Sequence, residues 1–278
     1  MHEEHSQVES DANETPPIVT ARPAGGWVYA RPATPPNPLL LPGVDVRRAW
    51  LNLVLVFVVC VLTPGASALL LWVESDGAAL ERIEFSGVAV TWLRFLVVAT
   101  LAGYFVLRGD CRPEMLGLTA RRLGRQLLWS PAIIAMMYGS MLAIGMALLA
   151  VSGAAPAGEE IRRRFEFAEA LPTESFTLTI TLLTAVACYE ELLFRGLLVP
   201  LLRRVSGSWT IAIACSSLMF GLLHFHQGVM AIVQITGLAV VLAVAFVATR
   251  SLAAVIVAHF LFDLLQFQLV RFLITAEP

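Results

Sequence analysis

Residues 186–198 read VACYEELLFRGLL. Two adjacent acids, Glu190 and Glu191, and a base, Arg195, stand in a stretch too apolar to be a solvated loop. Placing charge in hydrocarbon costs several kcal/mol on insertion scales, so ionisable residues in such runs are rare and point to function. Two later stretches repeat the pattern: MFGLLHFH at 219–226 carries His224, and VAHFLFDLL at 257–265 carries His259 and Asp263. These runs predict an all-α, polytopic integral membrane protein with chemistry inside the bilayer.

Composition agrees. Of 278 residues, 58% are hydrophobic and 14% charged, and the mean hydropathy is +0.76, which sets the chain apart from soluble domains of this length. A formal net charge of -2 and the absence of a long basic cluster exclude nucleic acid as a partner. All 19 cationic residues are arginine. Cys60, Cys188 and Cys215 sit in apolar runs and Cys111 in a charged loop; without CxxC spacing they read as small hydrophobes rather than disulfides or zinc ligands.

Residues 1–45 hold eight of the 15 prolines and read as a disordered, Pro-rich tail on the cytoplasmic side. Its PxxP-like spacing could recruit a partner domain, against the simpler reading of a spacer. Apolar runs then follow at 49–73, 86–107, 127–151, 175–201, 208–226, 229–249 and 251–274. Each approaches the length that crosses a ~30 Å hydrocarbon layer, predicting about seven transmembrane helices. The expected parts are N-terminal helices and a cytoplasmic loop at 46–126 and a catalytic membrane core at 127–278, with the site from the fourth span onward. Arg108, Arg112, Arg121, Arg122, Arg125, Arg203, Arg204 and Arg250 fall in alternate loops, which the positive-inside rule makes cytoplasmic. The expected location is a bacterial inner membrane.

Counting back from those loops at 1.5 Å per residue puts Glu190 at ~20 Å, His224 at ~24 Å, His259 at ~13 Å and Asp263 at ~19 Å from the cytoplasmic face. The polar groups share a depth and can meet. Glu191 and Arg195 are four apart with the acid first, the favourable order for an intrahelical pair; Glu190, rotated by ~100°, lacks that partner. His259 and Asp263 share a helix face by the same spacing, as do Phe220 and His224.

The patterns EExxxR (Glu190, Glu191, Arg195), FxxxH (Phe220, His224) and HxxxD (His259, Asp263), in that order on separate spans, resemble the CAAX protease and bacteriocin-processing family, which includes the type II CAAX prenyl endopeptidases, also called Abi proteins. The resemblance covers about residues 115–274, with Leu116-Gly117-Leu118 similar to a stretch that often precedes the family core. It implies an intramembrane glutamic endopeptidase in which Glu190 with His224 activates water, Arg195 fixes Glu191, and His259 with residue 263 stabilises the oxyanion. The prenyl-protein enzymes typically carry an amide where this chain has Asp263. The implied partners are the bilayer and a membrane-associated polypeptide, lipidated or membrane-embedded, with no cofactor or metal. The alternatives are a metalloprotease built on the same His and carboxylates, although HExxH is absent; a proton-coupled transporter, although no inverted repeat is seen; and a non-catalytic scaffold.

Overall fold

The computed structural model describes residues 44–65, 85–118, 123–153, 158, 162 and 175–276. The tail read at 1–45 and the segments that link the first apolar run to the second and the third to the fourth lie almost wholly outside these. Every regular element among the described residues is helical: α1 (Val46–Val56), α2 (Phe85–Leu107), a 3-10 turn (Pro113–Leu116), α3 (Leu123–Leu127), α4 (Ser130–Ser152), α5 (Phe176–Glu191), α6 (Val199–Ser206), α7 (Trp209–Leu222), a second 3-10 turn (Phe225–Gln227), α8 (Val229–Thr249) and α9 (Leu252–Ala276). The chain is an all-helical polytopic membrane protein.

Among the described residues, five helical runs are long and apolar enough to cross a bilayer: Val46–Gly65, Gly87–Leu107, Leu123–Val151, Val229–Thr249 and Leu252–Leu273. The fourth and fifth apolar runs of the sequence complete the set differently. The fourth, α5 to α6, carries the buried Glu191 and Arg195. The fifth, α7, has only 14 residues, a rise of ~21 Å, less than a full hydrocarbon core. Helix α5 packs between α2 and α9, α7 pairs with α8, and α8 and α9 both lean on α4. Leu93, Leu96, Leu142 and Met146 point outward, as suits side chains whose solvent is lipid.

Two prolines shape the interior. A proline in a helix lacks an N–H and its ring clashes with the carbonyl four residues back. Pro64 stands four residues after Cys60, and Pro200 four after Gly196. Just before each, the helix widens into a π segment, Phe57–Leu62 and Leu192–Leu198, where Thr63 N–H donates to Val58 and Val199 N–H to Phe194, five residues back. Such segments recur at functional sites. The Cys60 carbonyl, which Pro64 cannot satisfy, accepts from Tyr189 Oη at 3.2 Å, tying α1's extension to the residue beside Glu190.

The Leu116-Gly117-Leu118 stretch locks the start of α9. Gly117 has φ 74, the left-handed conformation that glycine alone adopts without strain, and its carbonyl accepts from Leu252 N–H at 3.0 Å. A methyl group there would run into Phe246, whereas one at Gly103 in α2 meets nothing within 4 Å. Gly117→Ala is therefore expected to lower stability by about 1–3 kcal/mol, while Gly103→Ala leaves it unchanged or raises it. Melting temperatures of the full chain in one detergent compare the two directly.

Candidate active site

Glu190 and Glu191 end the regular part of α5, one step before the π segment that carries Arg195. Glu191 is fully buried and Arg195 is 1% exposed. Arg195 Nη1 donates to Glu191 Oε1 at 2.7 Å, the pair that the four-residue spacing predicts. The same guanidinium donates through Nη2 to the Ala239 carbonyl of α8 at 3.1 Å and lies over the Phe220 ring of α7 at 4.8 Å. Three helices thus hold one cation, and each contact offsets part of its desolvation.

His259 arrives from α9. Its Nδ1 donates to the same Glu191 oxygen, Oε1, at 2.7 Å, so one carboxylate oxygen joins α5, the π segment and α9. That leaves Nε2 facing Asp263 Oδ2 at 3.3 Å and Glu190 Oε2 at 3.8 Å. A neutral imidazole has one N–H to give; with Nδ1 engaged, the groups around Nε2 decide what that nitrogen does. The Glu190 and Asp263 side chains are 16% and 28% exposed, against 0% for Glu191. The cluster therefore has a sealed end at Glu191 and Arg195 and an accessible end at Glu190 and Asp263.

His224 lies two residues past the last residue of α7, with φ -97 and ψ 21, not inside a continuous span as the depth count assumes. Its Nδ1 is 2.8 Å from the Phe220 carbonyl. A carbonyl only accepts, so Nδ1 carries a proton, and in the neutral ring Nε2 keeps its lone pair. Phe220 is the hinge between the two halves: its ring centroid is 5.0 Å from that of His224 and 6.3 Å from that of His259, and it packs edge-on to Phe194 at 4.9 Å.

The structure brings Glu190, Glu191, Arg195, His259 and Asp263 into one network and attaches His224 to it through Phe220. In the sequence Phe220 enters only through FxxxH, and no motif there singles out Ala239 or Tyr189. The proline four residues after a carbonyl that a neighbour can take is the signal that points to Tyr189. Among the described residues, no group of three His, Cys, Asp or Glu side chains is arranged to hold a metal ion.

Arg195→Ala leaves the buried Glu191 carboxylate without its cation. Removing one member of a buried pair costs about 3–5 kcal/mol, so this variant is expected to melt well below wild type in detergent. Arg195→Lys, which keeps a charge but not the planar fork, should fall between them. Equal melting temperatures for Arg195→Ala and wild type would contradict the pairing.

No curated protein and no solved structure matches the chain. One family model does: the description is "Rce1-like: Type II CAAX prenyl endopeptidase Rce1-like", and the match runs over residues 172–265. That segment contains all six site residues and all three motifs. The stretch from α5 to the middle of α9 is thus similar to the type II CAAX prenyl endopeptidase Rce1-like family, the group of membrane proteases to which the motifs point.

Proposed function

We propose that this protein is an intramembrane endopeptidase of the glutamic type, acting on a polypeptide that is lipidated or itself embedded in the membrane. The observation that carries this reading is the two-ended cluster, in which one glutamate is sealed against Arg195 and His259 while its neighbour stays accessible beside a histidine. The family match over the same residues supports a CAAX-type membrane protease.

The chemistry runs on that division. A water takes its place between the Glu190 carboxylate and His224 Nε2. As its oxygen attacks the peptide carbonyl carbon, one water proton passes to Glu190, with the His224 lone pair sharing it. The C–O bond forms, the carbonyl π pair moves onto oxygen, and the oxyanion accepts from Nε2–H of His259 in its doubly protonated form, Nδ1–H staying on Glu191. Asp263 at 3.3 Å favours a proton on that nitrogen, and Glu191 at 2.7 Å fixes the ring's orientation. Donors already aimed at the developing charge need no reorganisation during reaction. The C–N bond then breaks, and the proton held by Glu190 goes to the leaving nitrogen. One water is consumed, and the carboxylate is regenerated.

The arginines at the ends of α2, α6 and α8, with those of the loop after α2, support a cytoplasmic N-terminus by the positive-inside rule. Comparing membrane proteomes with and without active protein, reading new N- and C-termini, identifies the substrate. On that substrate, Glu190→Gln is expected to lower turnover by at least about 10²-fold, the lower end of what a positioned base contributes, with the protein still inserted and folded. Cleavage should persist after prolonged phenanthroline and EDTA treatment. Near-wild-type turnover by Glu190→Gln would remove that residue as the base. Loss on chelation that zinc restores would favour a metalloprotease.

A further inference from the structure

Beside α5 lies a cavity of about 480 Å³, within the roughly 300–1,000 Å³ range of small-molecule sites. Phe95, Ala99 and Gly103 of α2 form one wall, Cys188 and Leu192 of the α5 run another, and Ile256 of α9 the third. The lining is almost wholly apolar, and none of Glu190, Glu191, His224, His259 or Asp263 belongs to it. It is separate from the acid and histidine cluster, although its α5 wall is made by residues immediately flanking the two glutamates.

Leu107, Leu118 and Leu252 also line the cavity, and Arg108 and Arg250 stand one and two residues from Leu107 and Leu252 in the chain. Two contacts draw the surrounding segments together: Leu252 N–H to the Gly117 carbonyl at 3.0 Å and Ser251 Oγ to Gln126 Oε1 at 2.9 Å. Arg125 and Arg250, which adjoin Gln126 and Ser251 in the chain, are exposed, as is Arg112, five residues before Gly117; Asp110 and Glu114 are the acids of the loop after α2. Arg108, by contrast, is turned to Asp110 at 3.5 Å and to Tyr104 Oη at 3.1 Å.

We propose that this groove binds an anionic phospholipid, one acyl chain lying between α2, α5 and α9 and the phosphate at the rim of Arg112, Arg125 and Arg250. An apolar chain alone would leave the arginines unused, and a zwitterionic headgroup would bring its own cation against them. An anionic headgroup satisfies both parts of the site, and arginine is the side chain suited to phosphate. The bound chain would press on Leu192, where the π segment begins, and so support the helix that presents the glutamates.

The test uses the full chain purified free of lipid and titrated with dioleoylphosphatidylglycerol or dioleoylphosphatidylcholine, bound lipid being counted by native mass spectrometry. Phosphatidylglycerol is expected to bind more tightly, and Arg112→Gln/Arg250→Gln to lose about fivefold in affinity for each arginine removed. Gly103→Phe fills the groove from a position with open space around it, and should lose the bound lipid while melting like wild type without lipid. Equal binding of the two lipids, undiminished phosphatidylglycerol on the double arginine variant, or competitive displacement by farnesyl-cysteine methyl ester would overturn the proposal. The last result would assign the groove to a substrate's lipid. Because the readout is binding, the outcome is independent of the proteolytic reading.

Discussion

One carboxylate oxygen, Oε1 of Glu191, organises the interior. It accepts from Arg195 at 2.7 Å and from His259 at 2.7 Å, in a place fully sealed from solvent. A lone ion there would be prohibitively costly, and a simple pair would do no more than break even. The arrangement holds because the guanidinium is further satisfied by the Ala239 carbonyl and the Phe220 face, so α5, α7, α8 and α9 all contribute to one charge. The consequence for function is positional. With His259 Nδ1 committed to Glu191, only Nε2 is left to face Glu190, Asp263 and whatever binds between them.

The widened backbone is the other half of the construction. Pro200 forces the π segment that bears Arg195, and Pro64 forces the one whose freed carbonyl receives Tyr189. Both act on the same few residues of α5 from opposite directions. The two glutamates are therefore set where the helix changes pitch, with Tyr189 anchored on one side and Arg195 on the other. Helix α7 ends early for a related purpose: a continuous helix would carry His224 onward along its axis, whereas the turn after Leu222 lets its ring fold back on Phe220.

Much of this was legible in the sequence, and the limits have physical reasons. Charges inside apolar runs pointed to the membrane and to six residues worth watching, since a bilayer tolerates such groups only for cause, while run lengths predicted about seven spans, of which five among the described residues are long and apolar enough to cross. The Glu191–Arg195 pair was legible because helix periodicity is local. The bond from His259 to Glu191 was not: 68 residues separate them, and the four-residue spacing directed attention to Asp263 instead. Phe220 reads as packing because an aromatic ring in a membrane helix ordinarily is, and its role under Arg195 depends on the crossing of two helices. The early end of α7 escaped because hydropathy continues unbroken to His224, so the depth count placed that residue on a helix that had already stopped.

The claim that Glu191 bolts His259 in place as well as Arg195 is tested most directly by a double-mutant cycle on stability, using Glu191→Gln, His259→Gln and the pair together in detergent-purified full-length protein. Contacting residues in one hydrogen-bond network couple by roughly 0.5–3 kcal/mol. The expected coupling between Glu191 and His259 is at least about 1 kcal/mol. Effects that add to within about 0.3–0.5 kcal/mol, as independent sites do, would contradict it and detach His259 from the centre of the fold.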